Sequence, residues 1–171
     1  MSESTSSQSN KTEGDASRLL VSTPTDREIR MERVFNAPRE LVFRAFVDPE
    51  LVPKWWGMRT STTIVDKMDV RPGGAWRYVQ VMSDGTEHGF RGEYREIVPP
   101  EKISWTFEYE PMPGHVLVET TTFEVVEGNK TRAVTISVFD TVEERDGMLS
   151  SGMEAGAAES YDRLEDLLSS L

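Results

Sequence analysis

Histidines, carboxylates and nucleophilic side chains carry most protein chemistry, and this sequence offers few of them in useful arrangements. Its 171 residues include two histidines and no cysteine. Disulfides, thiolate nucleophiles and Cys-ligated metals are therefore excluded. His88 shares a strand face with Phe90, Gly92 and Tyr94 if residues 86–98 form a regular strand. It then reads either as a general base or polar anchor facing an apolar interior, or as an ordinary hydrogen-bonded histidine. No activated serine or paired carboxylate can be set beside it from spacing. His115 follows Pro111-Met112-Pro113-Gly114 and reads as a solvated loop residue. Two isolated histidines fall short of the three protein ligands a zinc site ordinarily uses, so neither a metal nor any other cofactor is expected.

Asp69-x-Arg71-x-Gly73-Gly74 has the look of a phosphate loop, but no Gly-x-x-x-x-Gly-Lys follows and the next segment is strand-like. Adjacent glycines there predict a tight turn. Glu87, Glu93, Glu96 and Glu101 are interleaved with Arg91, Arg95 and Lys102, as on a solvated sheet face. A paired-acid hydrolase needs two acids in one dry pocket, and the alternation puts most of these acids opposite the aromatics. No catalytic residue is assigned.

The aromatic residues are better organised. Trp76, Tyr78, Gln80 and Met82 alternate along one segment, and Ile103, Trp105, Phe107 and Tyr109 along another. Walls of this kind, with few charges, suit a flat lipophilic ligand. Trp55 and Trp56 read either as core packing or as a gate at the mouth of such a space.

These residues need elements to position them. Ile29 to Phe35 predicts a strand. Pro38 opens a short helix carrying Leu41, Val42, Ala45 and Phe46, and Pro49 opens a second that ends near Lys54-Trp55-Trp56-Gly57. From there the apolar period is two, predicting strands over 62–70, 75–82, 86–98, 103–109, 116–126 and 131–141, with turns at glycines and prolines. Met153, Ala157, Tyr161, Leu164, Leu168 and Leu171 then fall on one stripe of a long C-terminal helix. One sheet and one long helix share a core only if the sheet curls around the helix. The expected fold class is α+β: a curved antiparallel sheet wrapped around a long C-terminal helix, with two short helices after the first strand.

Residues 1–17 are almost wholly polar and predict a disordered tail ahead of one domain spanning 18–171. The formal net charge of −11 disfavours nucleic acid and anionic membranes as partners. No signal sequence or run long enough to span a membrane is evident, so a cytoplasmic location is expected.

An ordered string of landmarks allows a closer comparison. Arg33-x-Phe35-x-Ala37-Pro38-Arg39-Glu40-Leu41-Val42-Phe43-x-Ala45 leads to Asp48-Pro49-Glu50 and Trp55-Trp56-Gly57. Asp69-x-Arg71-x-Gly73-Gly74, Asp84-Gly85, Gly92-x-Tyr94-x-Glu96-Ile97-x-Pro99, Gly152-Met153-Glu154 and Tyr161-Asp162-Arg163-Leu164 follow. The chain resembles the family of the C-terminal domain of the activator of heat-shock-protein-ninety ATPase, within the START-like or SRPBCC superfamily, over nearly everything after the tail. The resemblance implies a helix-grip fold enclosing a hydrophobic ligand cavity. It makes Trp55, Trp56, Trp76, Tyr78, His88, Phe90, Tyr94, Trp105, Phe107, Met153, Ala157 and Tyr161 the candidate lining. Many relatives carry Gly-Trp in the last helix where this chain has Gly156-Ala157, which implies a larger or differently shaped cavity there. The expected function is binding of a small hydrophobic molecule, aromatic or lipid-like. A chaperone-binding accessory is one alternative, although one domain leaves no room for the separate chaperone-binding domain of the eukaryotic activators. A cavity-based cyclase or hydrolase is the other.

Overall fold

Strands whose apolar residues recur every second position pair through their backbones, and the same alternation decides which face turns inward. The computed structural model describes residues 17–171. Apart from Ser17, the expected tail lies outside the described residues. Eight antiparallel strands form one sheet in the order β1-β2-β8-β7-β6-β5-β4-β3. They are β1 (Leu20–Ser22), β2 (Glu28–Phe35), β3 (Thr62–Met68), β4 (Ala75–Val81), β5 (Glu87–Val98), β6 (Lys102–Tyr109), β7 (Val116–Val126) and β8 (Lys130–Val138). Helix α1 (Arg39–Val47) and a 3-10 turn (Val52–Lys54) follow β2, while α2 (Val142–Ser150) and α3 (Met153–Ser170) close the chain.

Two elements differ from expectation. β1 adds an eighth strand at the sheet edge, opposite Arg30 to Glu32 of β2. α2 is an unexpected helix after the last strand: β8 stops at Val138, three residues short of its expected end, and Thr141 caps the helix by accepting a hydrogen bond from the Glu144 amide at 3.1 Å. Gly152 is the left-handed junction between α2 and α3, with φ of 85°. Pro38 caps α1 rather than being its first residue.

α3 lies in the sheet's concavity through Ser160, Tyr161, Leu164 and Leu168, all buried. Leu171, placed on the same stripe by periodicity, is exposed beyond the helix end. The main core gathers Phe35, Val42, Phe43, Trp55, Phe123, Tyr161 and Leu164. A second, smaller cluster forms around Ile29, Leu117 and Phe139, with Met148 and Met153 packed against it. Phe107 touches both clusters. Among the described residues no helix is long and apolar enough to cross a membrane.

Candidate functional site

Strand register lays a transverse row of side chains across the inner face of the sheet. Tyr94 of β5 stands opposite Trp105 of β6, Trp105 opposite Glu119 of β7, Glu119 opposite Ser137 of β8, and Ser137 opposite Ile29 of β2. Directly opposed residues are close enough to bond, and the central three do so. Trp105 Nε1 donates to Glu119 Oε1 at 3.1 Å, and Ser137 Oγ donates to Glu119 Oε2 at 2.7 Å. Burial pushes the Glu119 carboxyl above the ordinary carboxylate range, and these two hydrogen bonds only partly offset it.

Glu119 and Phe107 form the common wall of two interior cavities. The smaller, of about 60 Å³, is aromatic: Trp55, Trp56, Trp76, Tyr78, Tyr94 and Trp105 face it. The larger, of about 150 Å³, lies under α2 and the start of α3, bounded by Ile29, Leu117, Phe139, Met148, Met153 and Ala157. Glu119 keeps some accessible surface despite its depth because it borders both spaces. An apolar cavity near 150 Å³ is the size that takes up a benzene ring.

The aromatic wall is fixed from two sides. On the helix side, Ser160 Oγ donates to the Trp55 carbonyl at 2.9 Å and accepts from the Gly57 amide at 3.2 Å. Arg163 donates to the carbonyls of Gly57 and Lys54, both at 3.0 Å, so one turn of α3 clamps the Trp55-Trp56-Gly57 segment. Gly57 has φ of 104°, a conformation that suits glycine. On the sheet side Trp76 lies over Gly92, where a Cβ would meet both the indole and the Thr106 carbonyl. That absence lets Trp76 Nε1 donate to Thr106 O at 3.2 Å.

Most lining polar groups are occupied elsewhere. Trp55 Nε1 donates to Ala45 O at 2.9 Å, and the Tyr78 hydroxyl is directed at Met68 Sδ at 3.8 Å. The Tyr94 hydroxyl, by contrast, is buried with no partner at ordinary hydrogen-bond distance among the described residues, its neighbour being the Tyr78 hydroxyl. Burial pushes its phenol up to about 12, tempered by the neighbouring Tyr78 hydroxyl. Tyr161 is likewise pushed up to about 12 by burial, with Thr135 acting in the opposite sense.

Of the residues named from sequence, Trp55, Trp56, Trp76, Tyr78, Tyr94, Trp105 and Phe107 border the smaller cavity, and Phe107, Met153 and Ala157 the larger. Phe90 and Tyr161 border neither. Phe90 packs against Trp56 and Phe107 with ring centroids 5.1 and 5.6 Å apart, while Tyr161 meets Phe35 edge-on at 5.4 Å. His88 also lines neither space. It sits one inward position beyond Phe90, where Nδ1 and the Tyr109 hydroxyl are 2.7 Å apart. His115 is exposed and paired with Glu144 at 2.6 Å. The Gly73-Gly74 segment is a turn bonded to Tyr94 through Gly73 N to Tyr94 O at 2.7 Å.

Glu119 and Ser137 were not anticipated. An acid inside a strand reads as outward-facing, but the positions two away from Glu119 are Leu117 and Thr121, followed by Phe123, and all three are buried. That alternation is the signal which places Glu119 inside. Among the described residues no three His, Cys, Asp or Glu side chains cluster closely enough to hold a metal ion.

Residues 36–169 match the family described as Activator of Hsp90 ATPase homolog 1-like protein. A crystal structure from Rhodobacter sphaeroides superposes with a TM-score of 0.85 at 24% identity, covering 90% of this chain and 99% of that one. One from Chromobacterium violaceum gives 0.71 at 28% identity, over 82% and 96% of the two chains. The AHSA1 protein from Silicibacter pomeroyi gives 0.70 at 21% identity, over 83% and 97%. These likenesses carry the helix-grip fold. No curated protein matches the chain.

Proposed function

The chain belongs to the Activator of Hsp90 ATPase homolog 1-like family, and from that premise we propose that it binds a small, largely apolar molecule between its sheet and α3. The observation that carries this reading is the pair of cavities sharing Glu119 and Phe107 as a wall. Phe107 is half-buried and packs against Trp76 and Phe90 with ring centroids 5.9 and 5.6 Å apart. Each Å² of apolar ligand surface removed from water contributes about 25 cal/mol, so an aromatic molecule enclosed there binds without a cofactor. Its source is the cytoplasm in this reading.

Binding is favoured over hydrolysis by the placement of the histidines. Ser137 bonds to Glu119, yet both histidines of the chain lie outside the cavities and neither can take its proton. Glu119 is the sole carboxylate among the lining residues, where a paired-acid mechanism requires two.

Native mass spectrometry of gently purified protein, with titration of the neutral dye N-phenyl-1-naphthylamine, tests the proposal. A retained small molecule, or saturable dye fluorescence at micromolar protein, is expected. Dye binding absent together with saturable stimulation of a heat-shock ATPase would replace this reading with the accessory one.

A further inference from the structure

The charge of the cavity lining narrows the class of ligand, given the reading that the cavities take a small molecule. Among the described residues no Lys, Arg or His borders either space. Arg33, a buried cation of β2, is committed to Asp162 at 2.6 Å and lines neither cavity. A ligand carboxylate or phosphate would thus meet Glu119 with no compensating charge, at a large desolvation cost. Fatty acids and other anions are poor candidates on this ground.

Glu119, Ser137, Tyr78 and Tyr94 are the oxygen-bearing side chains that border the two spaces. Glu119 Oε1 accepts from Trp105, whose indole can only donate, so that bond is made whether or not the carboxyl is ionised. An ionised Glu119 has Ser137 and Trp105 as its partners and no cation among the described residues, so it is a buried charge awaiting one. Tyr94, 4% exposed and with the Tyr78 hydroxyl as the neighbour of its own, borders the same small cavity as Glu119. Four indoles and two phenol rings complete that wall, and aromatic faces attract cations. The net charge of −11 draws cations toward the protein as a whole.

The two volumes divide the work. A space of about 60 Å³ takes a small head group, and one of about 150 Å³ takes a ring. We propose that the ligand is an amphiphilic organic cation, a protonated amine whose head lies between Glu119 and Tyr94 and whose phenyl-sized apolar tail fills the cavity beside Ala157 and Met153.

Three probes of matched shape test this: 2-phenylethylamine, 2-phenylethanol and 3-phenylpropionate, titrated at neutral pH against the intrinsic tryptophan fluorescence of the full chain. The amine is expected to bind at least about ten-fold more tightly than the alcohol, with the acid weakest. Glu119→Gln should bring the amine down to the affinity of the alcohol. An alcohol that binds as well as the amine, or amine binding unchanged in Glu119→Gln, overturns the proposal. If Glu119→Gln does not fold, Tyr94→Phe carries the test, since it removes a single hydroxyl and keeps the ring. A few-fold loss of amine affinity with alcohol binding unchanged supports the proposal, and no loss overturns it. Uptake of the naphthylamine dye with none of the three probes bound rejects the cation and keeps the binding reading. Failure of dye and probes alike rejects both.

Discussion

Trp105 Nε1 lies 3.1 Å from Glu119 Oε1, joining two residues that register sets directly opposite each other on β6 and β7. This acid therefore has a fixed place in the interior and a raised pKa caused chiefly by its burial. The folded chain holds the Glu119 proton to higher pH than the unfolded chain does. Between the ordinary glutamate value and the raised one the folded state binds more protons, so stability falls as pH rises across that window. The titratable groups nearby do not confuse the reading, because the Tyr94 and Tyr161 phenols titrate near 12, Tyr78 is also raised and Arg33 is paired with Asp162. Glu119→Gln is expected to raise the melting temperature at pH 8, with the gain shrinking toward pH 5. Melting curves across that range check it, and a gain independent of pH contradicts it.

A second prediction concerns the helix clamp. Arg163 holds the Gly57 and Lys54 carbonyls at 3.0 Å and the Met58 carbonyl at 3.3 Å. Arg163→Ala leaves these groups to partial solvent and should cost about 1–2 kcal/mol in urea denaturation, while loosening Trp55 and Trp56 and weakening dye binding. Arg163→Lys should recover only part of the loss, because an ammonium cannot span the fork that the guanidinium fills. Wild-type stability in the alanine variant would show the clamp to be incidental.

Gly156 supplies a third. It lies within α3, and a Cβ built there meets no atom within 4 Å outside its own helix turn. Gly156→Ala should stabilise the protein by about 0.4–1 kcal/mol through lower unfolded-state entropy and better helix propensity. Chemical denaturation reads the change directly. A loss of stability would mean that this end of α3 is packed more closely than the structure places it.

The parts of this molecule that were legible in the sequence are those where one strong pattern acts alone. Alternation groups Trp76 with Tyr78 and Trp105 with Phe107 on one face of each strand without saying which face turns inward, and helical spacing brings Tyr161, Leu164 and Leu168 onto one stripe. α2 escaped because none of its residues is fully buried and Gly147 interrupts it. Its positions are fixed instead by long-range contacts such as Arg145 Nη1 to Thr25 O at 2.8 Å. β1 escaped because three edge residues are too few to show a period. Alternation puts His88 on the same strand face as Phe90, but parity does not say how far along the strand a cavity extends. The partition by Phe107 and Glu119 depends on three strands meeting in register, which local sequence does not encode.

Ala157 supplies the final prediction, because it lines the larger cavity at the position where the resemblance led us to expect tryptophan. Met148 and Met153 border the same space, and their unbranched side chains can shift to admit a new ring. Ala157→Trp should therefore place an indole across a void rather than into packed atoms, with a stability change under about 1 kcal/mol. By filling that void it should abolish uptake of the naphthylamine dye and weaken 2-phenylethylamine binding at least ten-fold. Ala157→Ser, which barely alters volume, should leave the amine bound. The opposite case has a distinct signature, since overpacking a filled site costs about 1–3 kcal/mol and has no bound dye to displace. Calorimetry and dye titration on wild type and Ala157→Trp separate the two. A strongly destabilised variant, paired with a wild-type protein that takes up no dye, means that α3 and the sheet close on themselves without room for a guest.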